Sequence, residues 1–169
     1  MPEYFDRYIN LAEDAALISS LQISLSEINN WPLDVWEKIG DRIYAPDKWT
    51  IKDIVQHVID TERIFSYRAL AFSRNETQPL PSYDEDTYAR AGRAVNRKLS
   101  NIIDELKIVR LGTIALFNSF DNEMLEKTGM GFKGPYSVAS LGFMLAGHQR
   151  WHMHIIDERY LPLLKALSK

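Results

Sequence analysis

The sequence predicts an all-α protein, an up-down four-helix bundle, and three observations lead there. Prolines and glycines punctuate the 169 residues only at wide intervals, so long stretches remain free for helices. Within those stretches apolar residues recur at three- and four-residue spacing. No run alternates between apolar and polar residues as a half-buried strand would. The length, with no internal repeat or low-complexity segment, points to a single domain over residues 1–169.

The elements follow in chain order. From about Tyr8 to Asn29, the residues Ile9, Ala12, Ala16, Leu21, Leu25 and Ile28 mark the inner face of a first long helix. Asn29-Asn30-Trp31-Pro32 ends it, and Pro32 opens a short helix to about Asp41, because proline suits the first helical turn. Thr50 caps the second long helix, with Asp53 three residues on as a variant capping box. That helix, Ile51 to about Arg74, is apolar around much of its circumference, which suits the centre of a bundle. Pro79 and Pro81 lie in a loop from Glu76 to Asp86. A third long helix runs from about Asn96 to Phe120, with room for a short helix before it. Gly129, Gly131, Gly134 and Pro135 make the last major loop, and Ser137 caps a fourth long helix that reaches about Tyr160, ahead of Pro162.

Composition narrows the function classes. Hydrophobic residues make up 46% and charged residues 25%, ordinary for a soluble globular protein. The net charge is −3 and no basic block stands out, so a nucleic-acid partner has no electrostatic support. No apolar stretch approaches the ~20 residues that span a bilayer, so no membrane partner is expected. The N-terminal MPEYFDRYINLAED lacks the pattern of a signal peptide, and a cytoplasmic location is expected. With no cysteine, disulfides, thiolate metal sites and a cysteine nucleophile are excluded.

Histidine usage carries the functional signal. Of four histidines, His148, His152 and His154 fall within seven positions, and His57 lies about ninety residues upstream. On the fourth helix Leu141, Leu145, His148, His152 and Ile155 follow a 4-3-4-3 spacing, the seam by which a helix faces its bundle partners. His154 sits roughly 200° round the helix from His152 and points elsewhere. On the second helix Ile54, His57, Thr61, Ile64 and Arg68 form a comparable stripe. A lone inward histidine is ordinarily a hydrogen-bonded core residue. An i, i+4 pair on a seam is harder to satisfy, because four ring nitrogens then need partners, and a shared divalent cation takes one nitrogen from each ring. His148 is followed by Gln149, so the H-E-x-x-H metalloprotease motif is absent. Residue types alone leave a metal site and a pair of core histidines both open.

The stretches WTIKDIVQHVIDTERIFSYRAL (49–70), PLPSYDEDTY (79–88) and GHQRWHMHIIDERY (147–160) together resemble the DinB superfamily, in its DinB-like or YfiT-like branch. The resemblance extends over essentially the whole chain, and its anchors are a histidine early in the second helix and HxxxH on the fourth. It implies a four-helix bundle holding a divalent metal ion on three histidines, here His57, His148 and His152. It also implies a metal-dependent hydrolase or a low-molecular-weight-thiol transferase, and a homodimer.

Three neutral nitrogen donors leave a coordination position open for water or a small-molecule substrate. Zn or Ni is the expected ion, with Fe or Mn also suited to imidazole. Such an ion either activates water for hydrolysis or binds an incoming thiol, which must come from a co-substrate because the chain has no cysteine. Asp60, Glu62, Asp157 and Glu158 are the nearby carboxylates available to orient the imidazoles, and Glu62 is either an acid/base group or, as the favoured reading, a structural partner of Arg63 or Arg159. Asp84, Glu85 and Asp86 either line the mouth of the site or form a solvated helix start, and Tyr83, Tyr88 and Trp151 are expected to pack. The competing function is a non-catalytic, stress-associated binding module whose metal is structural or absent.

Overall fold

This computed structural model describes residues 6–12, 15–131 and 134–165. The helices are α1 (Asp6–Ile9), α2 (Leu17–Asn29), α3 (Leu33–Ile39), α4 (Ile51–Ser73), α5 (Glu85–Gly92), α6 (Leu99–Asn118), α7 (Asn122–Glu126), α8 (Val138–Ile155) and α9 (Pro162–Lys165). The long ones, α2, α4, α6 and α8, form the four-helix bundle. Thr50 caps α4 as expected, its hydroxyl accepting from the Asp53 amide while the Asp53 carboxylate takes the Thr50 amide at 3.0 Å. Ser137 likewise accepts from the Ser140 amide at the start of α8. The fourth helix reaches Tyr160 through a wide π turn, Ile156–Tyr160.

The expected four-helix bundle is present, but the chain threads it in the order up, down, down, up instead of alternating at every helix. Glu62, Arg63 and Ser66 of α4 meet Arg110, Glu105 and Thr113 of α6, so these two helices run parallel. Gln149 and Arg150 of α8 meet Ser24 and Glu27 of α2, which also run parallel. Around the bundle the neighbours are α2, α6, α4 and α8, so α2 faces α4 and α6 faces α8 across the diagonals, while α4 and α6 sit side by side. The proline-containing link after α4 makes this geometry accessible: it returns along the bundle, and Lys52 at the start of α4 donates to the Val95 carbonyl at 3.2 Å.

Two further expectations need correction. The first long helix is divided: α2 begins at Leu17 after an extended Ala16, and α1 is a separate turn of helix lying against α8. Glu13 and Asp14, within the expected helix, fall outside the described residues. The glycine-rich segment is a short antiparallel hairpin rather than a plain loop, with β1 (Thr128–Gly131) paired to β2 (Gly134–Ser137). Four-residue strands this rich in glycine show no apolar alternation. Close packing explains the composition, since a Cβ on Gly129 would stand 2.0 Å from the Phe72 ring.

The apolar interior is split in two. Ile54, Val58, Ile102, Leu106, Ile156 and Tyr160 belong to one cluster, and Leu21, Phe65, Phe72, Phe117, Leu141 and Leu145 to the other. Between them each long helix contributes a buried polar residue: Ser24, Glu62, Arg110 and Gln149. Arg110 holds Glu62 bidentately at 2.7 and 3.0 Å and also donates to Ser24, and Gln149 donates to the Ser24 carbonyl at 2.8 Å. A buried charge must be paired in this way, because the interior offers no water to solvate it.

The packing of α1 depends on one glycine. A Cβ on Gly147 would lie 1.7 Å from the Tyr8 carbonyl oxygen, a backbone atom that cannot swing aside. Gly147→Ala is therefore expected to push α1 off α8 while sparing the bundle. Limited proteolysis should then cut ahead of Leu17, and an N-terminal segment as protected as in the parent would contradict the assignment.

Candidate metal centre

Three imidazoles meet between α4 and α8. His57 Nε2 stands 3.1 Å from His148 Nε2, and His152 Nε2 stands 3.0 Å from that same atom. One nitrogen from each ring lies within 4.8 Å of the other two. All three side chains are buried. Helical geometry brings His148 and His152 to one face, one turn apart. The antiparallel course of α4 against α8 then delivers His57 from early in α4 to the far end of α8. His154 is exposed, as its helical phase requires.

Hydrogen bonding serves this cluster poorly. His148 Nε2 carries either one proton or one lone pair, yet two other imidazole nitrogens face it. His152 Nδ1 is buried with no hydrogen-bond partner among the described residues. A cation would take a lone pair from every ring at once. Nitrogens bound to one ion at ~2.0–2.1 Å stand roughly 3.0–3.4 Å apart, and the separations of 3.0 and 3.1 Å fall at the short end of that range. The donor set therefore fits a divalent ion. Among the described residues no fourth histidine or carboxylate joins the group.

Aromatic rings enclose the imidazoles. The Trp49 ring lies 4.8 Å from His57 and 6.4 Å from His152, the latter nearly parallel at 24°. Tyr8 sets its edge against His148 at 5.2 Å. A cavity of about 250 Å³ opens beside His152, lined also by Tyr44, Trp49, Ile54, Asp86, Ile155 and Tyr160 among others. Two hydrogen bonds fix its Trp49 wall. The indole N–H donates to Asp86 at 3.1 Å, and the Tyr160 hydroxyl donates to the Trp49 carbonyl.

The other residues singled out in the sequence separate cleanly. Asp86 is at the mouth of the cavity, whereas Asp84 caps α5 by accepting from the Thr87 amide at 2.7 Å. Glu62 pairs with Arg110, not with Arg63 or Arg159; Arg63 binds Glu105 at 2.7 Å, and Arg159 is exposed. The reason is register, since parallel α4 and α6 bring Arg110 inward opposite Glu62. Asp60 accepts from Gln56 at 2.9 Å, and Asp157 and Glu158 point to solvent, so these three do not orient the imidazoles. Tyr83 packs on Tyr88 and hydrogen-bonds Thr61 at 2.6 Å, while Trp151 packs on Tyr8. Sequence reading missed Trp49, Tyr44 and Tyr160. Only the position of Trp49 directly before the Thr50 cap, and so near the start of the His57 helix, hinted at its place.

Residues 30–156 match the sequence profile of the DinB superfamily. This chain belongs to the DinB superfamily. Its fold is similar to that of YfiT from Bacillus subtilis, described as a probable metal-dependent hydrolase with an unusual four-helix bundle topology. The TM-score is 0.68 and the identity 17%, over 92% of this chain and 85% of that one. No curated protein matches the sequence. Among the described residues of this DinB protein, no helix is long and apolar enough to cross a membrane.

Burial sets the charge state of the three rings. Loss of solvent lowers His57 to about 4, against a smaller opposing pull from Asp86, and lowers His152 to about 3, helped by His57. His148 is lowered as well, first by burial and then by His152, His57 and Arg110. At neutral pH all three are uncharged, the form a metal requires. The same shifts fix how the metal-free DinB protein responds to acid. In the unfolded chain these histidines protonate near ~6.5, while in the folded chain they resist. Their contribution is complete above that pH and is lost as pH falls from ~6.5 towards 4, because only the unfolded state gains protons. The melting temperature of the metal-free protein should drop across this window, and His152→Leu should flatten the slope. An unchanged slope in that variant would show that His152 already titrates freely.

Proposed function

We propose that this chain is a divalent-metal-dependent enzyme whose ion is held by Nε2 of His57, His148 and His152, with a coordination position left open. The observation that carries the reading is the convergence of three buried nitrogens at 3.0 and 3.1 Å beside a cavity that His152 itself lines. Zn or Ni suits three imidazoles best, with Fe or Mn as further candidates. When bound, the ion supplies Lewis-acid polarisation and an activated water at neutral pH. The chain supplies three neutral donors, an aromatic enclosure of Trp49 and Tyr8, and a carboxylate at the rim in Asp86.

Hydrolysis of a small molecule is the favoured reaction, supported by the fold shared with YfiT and its description. Transfer of a low-molecular-weight thiol, with the thiol as co-substrate, is the second reading that family resemblance supports. A non-catalytic module with a structural metal fits less well, because such sites are usually closed by a fourth protein ligand and the described residues offer three. Exposed apolar side chains on two neighbouring helices, Tyr67 and Leu70 on α4 and Ile108 and Leu111 on α6, support a homodimer, and a monomer by light scattering at micromolar concentration would refute that part. For the enzyme, the test is elemental analysis of untagged protein, followed by screens of ester and amide substrates and of thiols with electrophiles. About one ion per chain and turnover lost on chelation are expected. No ion, and no rise in melting temperature on adding zinc or nickel, would end the proposal.

A further inference from the structure

The cavity beside His152 is built to present ring faces. Tyr160 and Tyr44 meet edge to face at 5.2 Å, Trp49 forms the adjoining wall, and Ile54 and Ile155 complete the apolar lining. Two polar groups of this wall are occupied within the protein. The Tyr160 hydroxyl is committed to the Trp49 carbonyl and the Trp49 indole N–H to Asp86, so neither competes for an occupant. Charged groups, Asp47 and Lys48, lie exposed on the cavity lining. The volume decides what fits. About 250 Å³ is just below the ~300–1,000 Å³ of pockets that take a whole drug-sized ligand. It suits one ring-sized group.

Resting on the metal-centre reading, we propose that this cavity is the specificity subsite, and that it takes a planar, aromatic-sized apolar group of the substrate adjoining the reacting centre at His152. Trp49 is the positioning residue that joins the two, because the same indole lies against His57 and His152 and walls the subsite. The π turn, Ile156–Tyr160, is part of the design, since it carries the chain from His152 to the Tyr160 ring that anchors Trp49. A substrate lacking such a group still reaches the ion but leaves the aromatic wall wet.

The test has two arms. In the zinc-loaded protein, calorimetry compares acetohydroxamate with benzohydroxamate, which share a metal-binding head and differ in the ring. Benzohydroxamate is expected to bind roughly tenfold tighter or better, since its ring leaves water against the aromatic wall. Tyr44→Ala, a change at a partly exposed side chain, is expected to narrow that ratio to within about threefold. Equal affinities in the parent, or an unchanged ratio in Tyr44→Ala, would overturn the proposal. The second arm uses metal-free protein and phenol, followed by NMR. Shifts at Tyr44, Trp49 and Tyr160 are expected with or without an ion, because protein contacts alone build the wall. Absence of shifts at millimolar phenol counts against the subsite even if metal binds. Shifts in a protein that binds no zinc would keep the subsite and remove only the metal reading.

Discussion

His148→Ala is expected to abolish tight binding of a divalent ion. His148 Nε2 is the central atom of the cluster, with the other two donor nitrogens at 3.0 and 3.1 Å from it. Removing an outer partner of a metal ligand typically costs ~10–100-fold in affinity, and losing one ligand of three should exceed that. His152→Ala should fall nearly as far. His154→Ala should change little, because that ring lies in solvent on another face of α8. Competition against a chelator at neutral pH measures all three. Should His154→Ala lose the ion while His152→Ala keeps it, the ligand set proposed here is wrong. Acid should release the ion from the parent as protons compete for the same lone pairs.

Arg110→Ala is expected to cost about 3–5 kcal/mol of folding stability, the second large effect. The guanidinium is fully buried, makes two bonds to Glu62 and donates to Ser24 in the polar layer between the two apolar clusters. Truncation leaves the Glu62 carboxylate, itself 1% exposed, without a counter-charge. Against a typical total of ~5–15 kcal/mol this loss approaches global unfolding. Replacing both partners together, as Glu62→Leu with Arg110→Met, removes both charges and should cost much less. Urea unfolding of the single and double variants gives the comparison. A single-variant loss below ~1 kcal/mol would mean that water reaches the layer and solvates Glu62.

Helical phase explains why much of the centre was legible in the sequence. A period of 3.6 residues fixes which side chains share a face before anything else folds. The inward placement of His148 and His152, the outward placement of His154 and the stripe from Ile54 through His57 to Arg68 follow from that local rule. So do the Thr50 and Ser137 caps, whose partners lie three residues away. Glu62 shows the limit. Its partner depended on the register between α4 and α6, and the arginines expected from the sequence, Arg63 and Arg159, were the wrong ones.

By itself, then, the sequence determined the long helices apart from the break before Leu17, and the three histidines that look inward, because these are set by interactions within one or two turns of chain. Only the tertiary structure decided the up, down, down, up threading, the distances among the nitrogens, the Glu62–Arg110 pair and the aromatic wall formed by Trp49, Tyr44 and Tyr160. Each of these joins segments tens of residues apart. Their meeting is set by how whole helices pack, and no local pattern in the chain records that.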